Sequence, residues 1–267
     1  RNPSKIAGQQ EIFGDKADYV LANPNGISVE GGGFINTPRA SLVVGKPQVA
    51  EGKLKGYDAT GDKALSTNGK ITSSGDVDLI APQVTVGGQI TTKDGVNVIA
   101  GRNKIAREDN GTLKITTTER KGQVLDGKVV GSIQAGRIRI HSTDDRATIT
   151  AQAADLQAQA VEINAGNVNV NGKISRHTER GKAKITHQNG VQARDHQSGS
   201  SESYQATRVQ TDQFNVNVGG KLNISGADIQ AKNSNIRGGN VHLGAEKTVN
   251  LREHSKNQSK GSWYRNE

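Results

Sequence analysis

Apolar residues in this chain arrive in short alternating runs opened by glycine. Gly136-Arg137-Ile138-Arg139-Ile140 and Gly166-Asn167-Val168-Asn169-Val170 share the form Gly-x-apolar-polar-apolar, the period-2 pattern of a half-buried strand. The runs also recur at a fixed spacing. Leu222 and Ile224 return as Val241 and Leu243, Val77 and Leu79 as Val96 and Val98, and Ile71 as Ile90, each 19 positions on. A short period carried by strands indicates a solenoid. Leucine-rich repeats share this period, but their Leu-x-x-Leu-x-Leu signature is missing and Val and Ile dominate. No 3.6-period apolar face stands out. The most helix-like stretch, Ala147 to Ile163, opens and closes on strand patterns and reads as two rungs joined by a turn.

The predicted fold is therefore all-β, a right-handed parallel β-helix with ~19–20 residues per turn. Val, Ile, Leu and Ala point inward; Asn, Thr, Gln, Lys and Asp point outward. One turn cannot bury its own apolar face, so stacking makes the core. Asn164, Asn167, Asn169, Asn171, Asn215, Asn217 and Asn223 recur at matching places and suit stacked amide ladders. If all 267 residues took part, about 13 turns and a rod of ~60 Å would follow. Two stretches break the rhythm. Residues 176–204 carry three histidines and a serine-rich part, read as a loop excursion. Residues 253–267 are a polar excursion whose end is expected to fray.

Turn chemistry is densest near the amino end. Asn23-Pro24-Asn25-Gly26-Ile27 is followed at once by Gly31-Gly32-Gly33-Phe34-Ile35-Asn36-Thr37. Asn-Pro and Asn-Gly pairs mark turns, and consecutive glycines open backbone geometries closed to other residues. Around these motifs lie Asn2-Pro3-Ser4, Gly8, Glu11, Ala17 to Ala22 and Arg39-Ala40-Ser41-Leu42-Val43-Val44-Gly45-Lys46-Pro47. In this order, the segment resembles the amino-terminal secretion domain of two-partner secretion exoproteins, the filamentous-haemagglutinin-like family. The resemblance is strong over about the first 100 residues. Beyond them it is to the family's haemagglutinin-type repeats.

The resemblance implies two segments: residues 1–103, the carboxyl-terminal part of a secretion domain, and residues 104–267, β-helix repeats. It implies that upstream strands and a signal peptide precede the chain, so that its amino end is mid-domain and frays. The absence of Met agrees with a processed or excised segment. It implies export through the periplasm to the cell surface, by way of the periplasmic domains of a dedicated outer-membrane β-barrel partner. Asn23, Pro24, Asn25, Gly26 and Ile27 are the family's secretion motif, and Gly31, Gly32, Gly33 and Asn36 a structural turn. The family's default activity is adhesin or haemagglutinin, displayed by a monomeric rod that meets host or neighbouring-cell receptors. The stalk of a contact-dependent growth-inhibition toxin has similar amino-terminal architecture, and a haemolysin is a third possibility.

Composition narrows the picture further. Hydrophobic residues make up 32% and aromatic residues 3%, low for a single globular core. Rare Pro and spaced Gly distinguish this from disorder; a thin core repeated many times remains. There is no Cys, hence no disulfide or thiolate metal site, which fits passage unfolded through an oxidising compartment. No apolar run approaches the ~18 residues of a membrane span, so stable membrane insertion is not expected. The net charge of +9 is interleaved with acidic residues and forms no dense basic block. It reads as a solvated rod surface rather than a nucleic-acid site, with weak contact to acidic cell-surface polymers as the other reading.

Catalytic and metal motifs fail on inspection. Gly122 to Lys128 imitates a phosphate loop, but Val129 stands where Ser or Thr must hold magnesium. Gly219-Gly220 and Gly238-Gly239 lack the Gly and Asp of calcium-binding nonapeptides. His177, His187 and His196 have no compact zinc spacing. Asp144-Asp145-Arg146 could belong to a β-helix carbohydrate lyase, yet Trp263 is the one Trp; a strand-to-strand turn is the better reading. Asn110, Asn223 and Asn257 head glycosylation sequons of a length that arises by chance in such a chain. The expectation is no enzyme, no cofactor and no metal, with a β-helix carbohydrate-active enzyme as the competing class.

Overall fold

The computed structural model describes residues 1–180, 184–188, 191–195, 198–244 and 250–253. Three strips of parallel sheet wrap one core: the first face runs through Ile27, Leu65 and Val84, the second through Ile71, Ile90 and Ile133, and the third through Ala40, Val77 and Val96. The recurrences in the sequence are its rungs: Ile71 pairs with Ile90, Val77 with Val96, Leu79 with Val98, Leu222 with Val241 and Ile224 with Leu243, all in parallel register. On one face Ile71, Ile90, Ile133, Leu156, Val209 and Ile229 stack in a single buried column. On another Ala40, Val77, Val96, Ile138, Val161 and Phe214 do the same. Each Val, Leu, Ile or Phe in these columns contributes roughly 1.5–3 kcal/mol on burial.

The corners are as repetitive as the faces. Between the first and second faces Gly69, Gly88 and Gly131 lie over one another; a Cβ on Gly88 would sit 2.2 Å from the Gly69 carbonyl oxygen, and one on Gly131 2.3 Å from that of Gly88. Gly69 and Gly88 also adopt positive φ, 70° and 67°. Both conditions require glycine there.

The expected asparagine ladder forms in part. Asn217 Nδ2 donates to Asn164 Oδ1 at 3.0 Å, and Asn223 Nδ2 to Asn169 Oδ1 at 3.2 Å. The 19-residue turn holds where the chain runs uninterrupted, as from Leu65 to Val84, Ile149 to Val168 and Leu222 to Val241. The expected 13 turns do not form. Nine strands line the first face among the described residues, from Ser4 to Leu243. Three excursions consume the difference, and only the third, Lys173 to Gln205, was anticipated. Ala147 to Ile163 also differs from expectation: Thr148–Gln152 and Asp155–Ala165 are consecutive faces of one turn, separated by Ala153 at φ 49°.

The first two excursions build something absent from a plain parallel helix. Strands Lys46–Ala50, Lys53–Ala59, Arg102–Arg107 and Leu113–Glu119 form a four-stranded antiparallel sheet. It lies over the third face. Tyr57, Ala59 and Ile105 pack on the outward-pointing Val43 and Ile80, making a second core. Three strands of the solenoid, Arg39–Val43, Asp76–Ala81 and Gly95–Ala100, are thus apolar on both sides at this column: Val43, Ile80 and Ile99 occupy successive rungs. In later rungs the same column turns polar, as His141, Asn164 and Asn217.

Candidate functional site

Asn23-Pro24-Asn25-Gly26-Ile27 is the corner that carries the chain from strand Tyr19–Ala22 to strand Ile27–Ile35. Asn23 organises it. Its Oδ1 accepts from Asn25 N at 2.9 Å, and its carbonyl accepts from Gly26 N at 3.3 Å, a side-chain turn nested in a backbone turn. The same residue reaches both neighbouring rungs. Nδ2 donates to Ser4 Oγ at 2.9 Å and to the Asn2 carbonyl at 3.1 Å on one side; its N–H donates to the Val43 carbonyl at 2.9 Å on the other. Gly26 at φ 116° turns the corner, its carbonyl accepts from Ser4 N, and Ile27 enters the core between Ser4 and Leu65. Five residues thus fix three rungs.

The glycine run and Asn36 work at the next two corners. Gly31 and Gly32 have φ 77° and 117° and shift the register against both adjoining rungs. Backbone approaches so closely that a Cβ on Gly32 would lie 2.2 Å from the Gly8 carbonyl oxygen and one on Gly33 2.5 Å from that of Thr72. Asn36, at φ 57°, donates from Nδ2 to the carbonyls of Ile12 at 2.7 Å and Gly14 at 3.0 Å. It is a rung-to-rung staple of the same kind as Asn23.

A charge network beneath the antiparallel sheet was missed. Asp78 is 1% exposed. It accepts two hydrogen bonds from Arg39 at 2.9 Å, one from Ser41 at 2.7 Å and one from Asn97 Nδ2 at 2.9 Å. Arg39 also meets Asp76 at 3.3 Å. Burial works against the Arg39 charge, but Asp78 by attraction and hydrogen bonding, then Asp76 and Asp18, outweigh it and raise its pKa. Arg107, on the covering sheet, pairs with Asp18 on the solenoid. Tyr57 is buried beside these groups, with Ser41 next to its hydroxyl, and burial pushes its pKa up to about 12. One signal was available: Ser41, Asp78 and Asn97 occupy the same column, and Asp78 and Asn97 stand one period apart.

The remaining candidates are structural or unassembled. The Gly122–Lys128 loop stitches rungs together: Gln123 O accepts from Arg102, and Asp126 Oδ1 from Thr148 N. Asp144 and Arg146 form the anticipated turn, with Arg146 N donating to Asp144 Oδ1 at 3.0 Å and the guanidinium to both carboxylate oxygens. Those hydrogen bonds, against the opposing effect of burial, hold the Asp144 pKa below the ordinary value. His177 and His187 fall on two separate antiparallel hairpins; His196, Asn257 and Trp263 lie outside the described residues. Asn110 turns a loop by accepting from Thr112 N, and Asn223 is used in the ladder. No cluster of three or more metal-ligating side chains occurs among the described residues.

A parallel solenoid with stapled amino-terminal corners and an antiparallel cover defines a class of β-helix protein. The TPS secretion domain profile matches residues 1–176, and the chain belongs to that family. A haemolysin of Serratia marcescens is 31% identical over 98% of this chain and 17% of its own length. A toxin CdiA of Yersinia pestis is 34% identical over 58% of this chain and 5% of its own. Among solved structures the filamentous haemagglutinin secretion domain superposes with a TM-score of 0.52 at 16% identity, covering 94% of this chain and 72% of that one; at that identity it supports the fold alone. The chain spans less than a fifth of these curated relatives. Membership of the family places it on the two-partner secretion route, through the periplasm to the cell surface or extracellular space.

Proposed function

We propose that this chain directs export of a large exoprotein, and that the Asn23–Ile27 corner is the part of it on which export depends. The observation that supports this is the double use of Asn23, which makes the corner's own turn and ties it to the rungs before and after. A corner of this kind ties rungs together once they stack, through bonds that span 21 and 19 residues of sequence to Asn2 and Ser4, so it fixes the register of the earliest rungs. The recognising element is the periplasmic part of the transporter, and the chain acts as a monomeric rod without enzymatic activity of its own. Residues 1–103 and 104–267 are then successive parts of one solenoid, the first nearest the recognition step and the second the start of the displayed rod.

The activity of the whole exoprotein lies beyond this chain. The adhesin reading comes from the family's default. The match to a haemolysin across 98% of the chain favours a haemolysin, and the match to a CdiA toxin supports a toxin-carrying stalk. The test of the export role is secretion of the full-length exoprotein, with its transporter, carrying Asn23→Ala and Asn25→Ala. Secreted protein should fall sharply while intracellular synthesis is unchanged. Undiminished secretion would refute the role given to the corner.

A further inference from the structure

The antiparallel cover stops abruptly. Its last strand, Leu113–Glu119, pairs with Arg102–Arg107 on one side and, among the described residues, with nothing on the other. The opposite edge, Lys46–Ala50, carries Pro47, which removes a main-chain donor and blunts an edge against further pairing. The Leu113–Glu119 edge has no Pro, and its stretch Ile115-Thr116-Thr117-Thr118 is strongly strand-forming. Beside this edge the third face is bare, and two recesses of about 540 and 520 Å³ follow one another, sharing Ile115 and His141. Their joint length is where a fifth strand of the cover would lie.

The groove is pre-set. Asn103 Oδ1 accepts from Thr118 Oγ1 at 2.8 Å and from Thr143 Oγ1 at 2.9 Å, which pins the open strand to the floor. Its charges are unbalanced. Arg39 is matched by Asp78, Arg139 by Glu162, and Asp145 by Arg120. Lys114, Arg137 and Arg237 also line it, and none of them has an ion pair among the described residues. The cationic surplus lies at both ends: Lys114 and Arg137 in one recess, Arg237 in the other.

We infer that this groove binds an extended acidic polypeptide segment, which adds as a strand to the free Leu113–Glu119 edge while its carboxylates meet Lys114, Arg137 and Arg237. An open edge supplies main-chain donors and acceptors at the spacing of a peptide, and the cations select side chains by charge. A sugar polyanion would use the cations but not the edge, and the lining holds no aromatic platform for it. The inference is independent of the export role proposed above.

The test uses the whole chain and a fluorescent eight-residue peptide alternating Glu and Val. Expected are saturable binding, new hydrogen-exchange protection of amides in Leu113–Glu119, and an affinity loss of about tenfold in Arg137→Glu/Arg237→Glu. Both positions are exposed, so circular dichroism should show that variant folded. An alternating Lys and Val peptide should not bind. A Glu–Val peptide N-methylated at alternate residues keeps the charge and loses the ladder, and should bind at least about tenfold more weakly. Equal binding of the methylated peptide, or heparin displacing it without any protection of the edge, would overturn strand addition in favour of a plain polyanion patch. Absence of peptide binding would overturn the inference. So would a dimer in sedimentation that Arg237→Glu dissolves, since the edge would then serve a second copy.

Discussion

At Asp78 a carboxylate 1% exposed sits between two apolar cores, and its charge is bearable only because Arg39, Ser41 and Asn97 all donate to it. Removing one partner of a buried pair leaves the other charge stranded, which costs about 3–5 kcal/mol. Arg39→Ala should lower stability by that order in denaturant titration, and Arg39→Met with Asp78→Leu by clearly less. Equal losses would mean that the pair is unimportant and the space it fills is what matters. Asp144 offers a pH test of the same reasoning. Its folded pKa lies below the ordinary 3.8, chiefly through hydrogen bonds from Arg146. Between the two values the unfolded chain binds more protons, so stability rises with pH there. The contribution is whole above 3.8 and disappears as pH falls through the lowered value. Asp144→Asn should therefore flatten the acid limb of the stability profile and leave its slope near neutrality unchanged.

Strands were legible in the sequence wherever one side of the sheet was wet. Alternation then marks the inward residues, and the 19-residue recurrence gives the register, as at Val77–Val96 and Leu222–Val241. Legibility failed where both sides are buried. Leu42-Val43-Val44, Leu79-Ile80-Ala81 and Val98-Ile99-Ala100 are runs rather than alternations because Val43, Ile80 and Ile99 face the covering sheet. Those runs were the available sign of the cover, and the loss of apolar character at His141 and Asn164 in the same column marks where it ends. The candidate corner was legible as a turn, since Asn and Gly have local reasons to be there, whereas its bonds to Asn2, Ser4 and Val43 depend on rung stacking. Column residues carry a separate prediction. Ile133 is fully buried between Ile90 and Leu156, so Ile133→Ala should cost about 2–5 kcal/mol. Asn169→Ala, which removes one ladder bond to Asn223, should cost only about 0.5–1.5 kcal/mol. Chemical denaturation of the two variants measures the ratio of apolar to amide stacking in this solenoid.

Across the whole molecule, stacking alone would make stability a sum of nearest-neighbour terms, with every interior turn nearly equivalent. The cover breaks that equivalence. Rungs through Arg39–Val43, Asp76–Ala81 and Gly95–Ala100 share two cores, the Asp78 network crosses all three, and Arg107 ties the cover back to Asp18. Rungs through Arg137–Ser142, Asp155–Ala165 and the centre of Thr207–Ser225 have one core and an open polar column outside. The covered rungs should accordingly behave as a single cooperative unit, and the bare ones should open before them. Hydrogen exchange in rising guanidinium tests this directly. Amides of Val161 to Ala165 and Phe214 to Val218 should lose protection at lower denaturant than those of Ala40 to Val43, Val77 to Ala81 and Val96 to Ala100. The lag should shrink in Tyr57→Ala, which empties the second core but leaves the first intact. If all these amides exchange at one midpoint, the chain is uniformly coupled and the cover adds no separate stability. If the bare rungs outlast the covered ones, the Asp78 network is a source of strain rather than of cohesion.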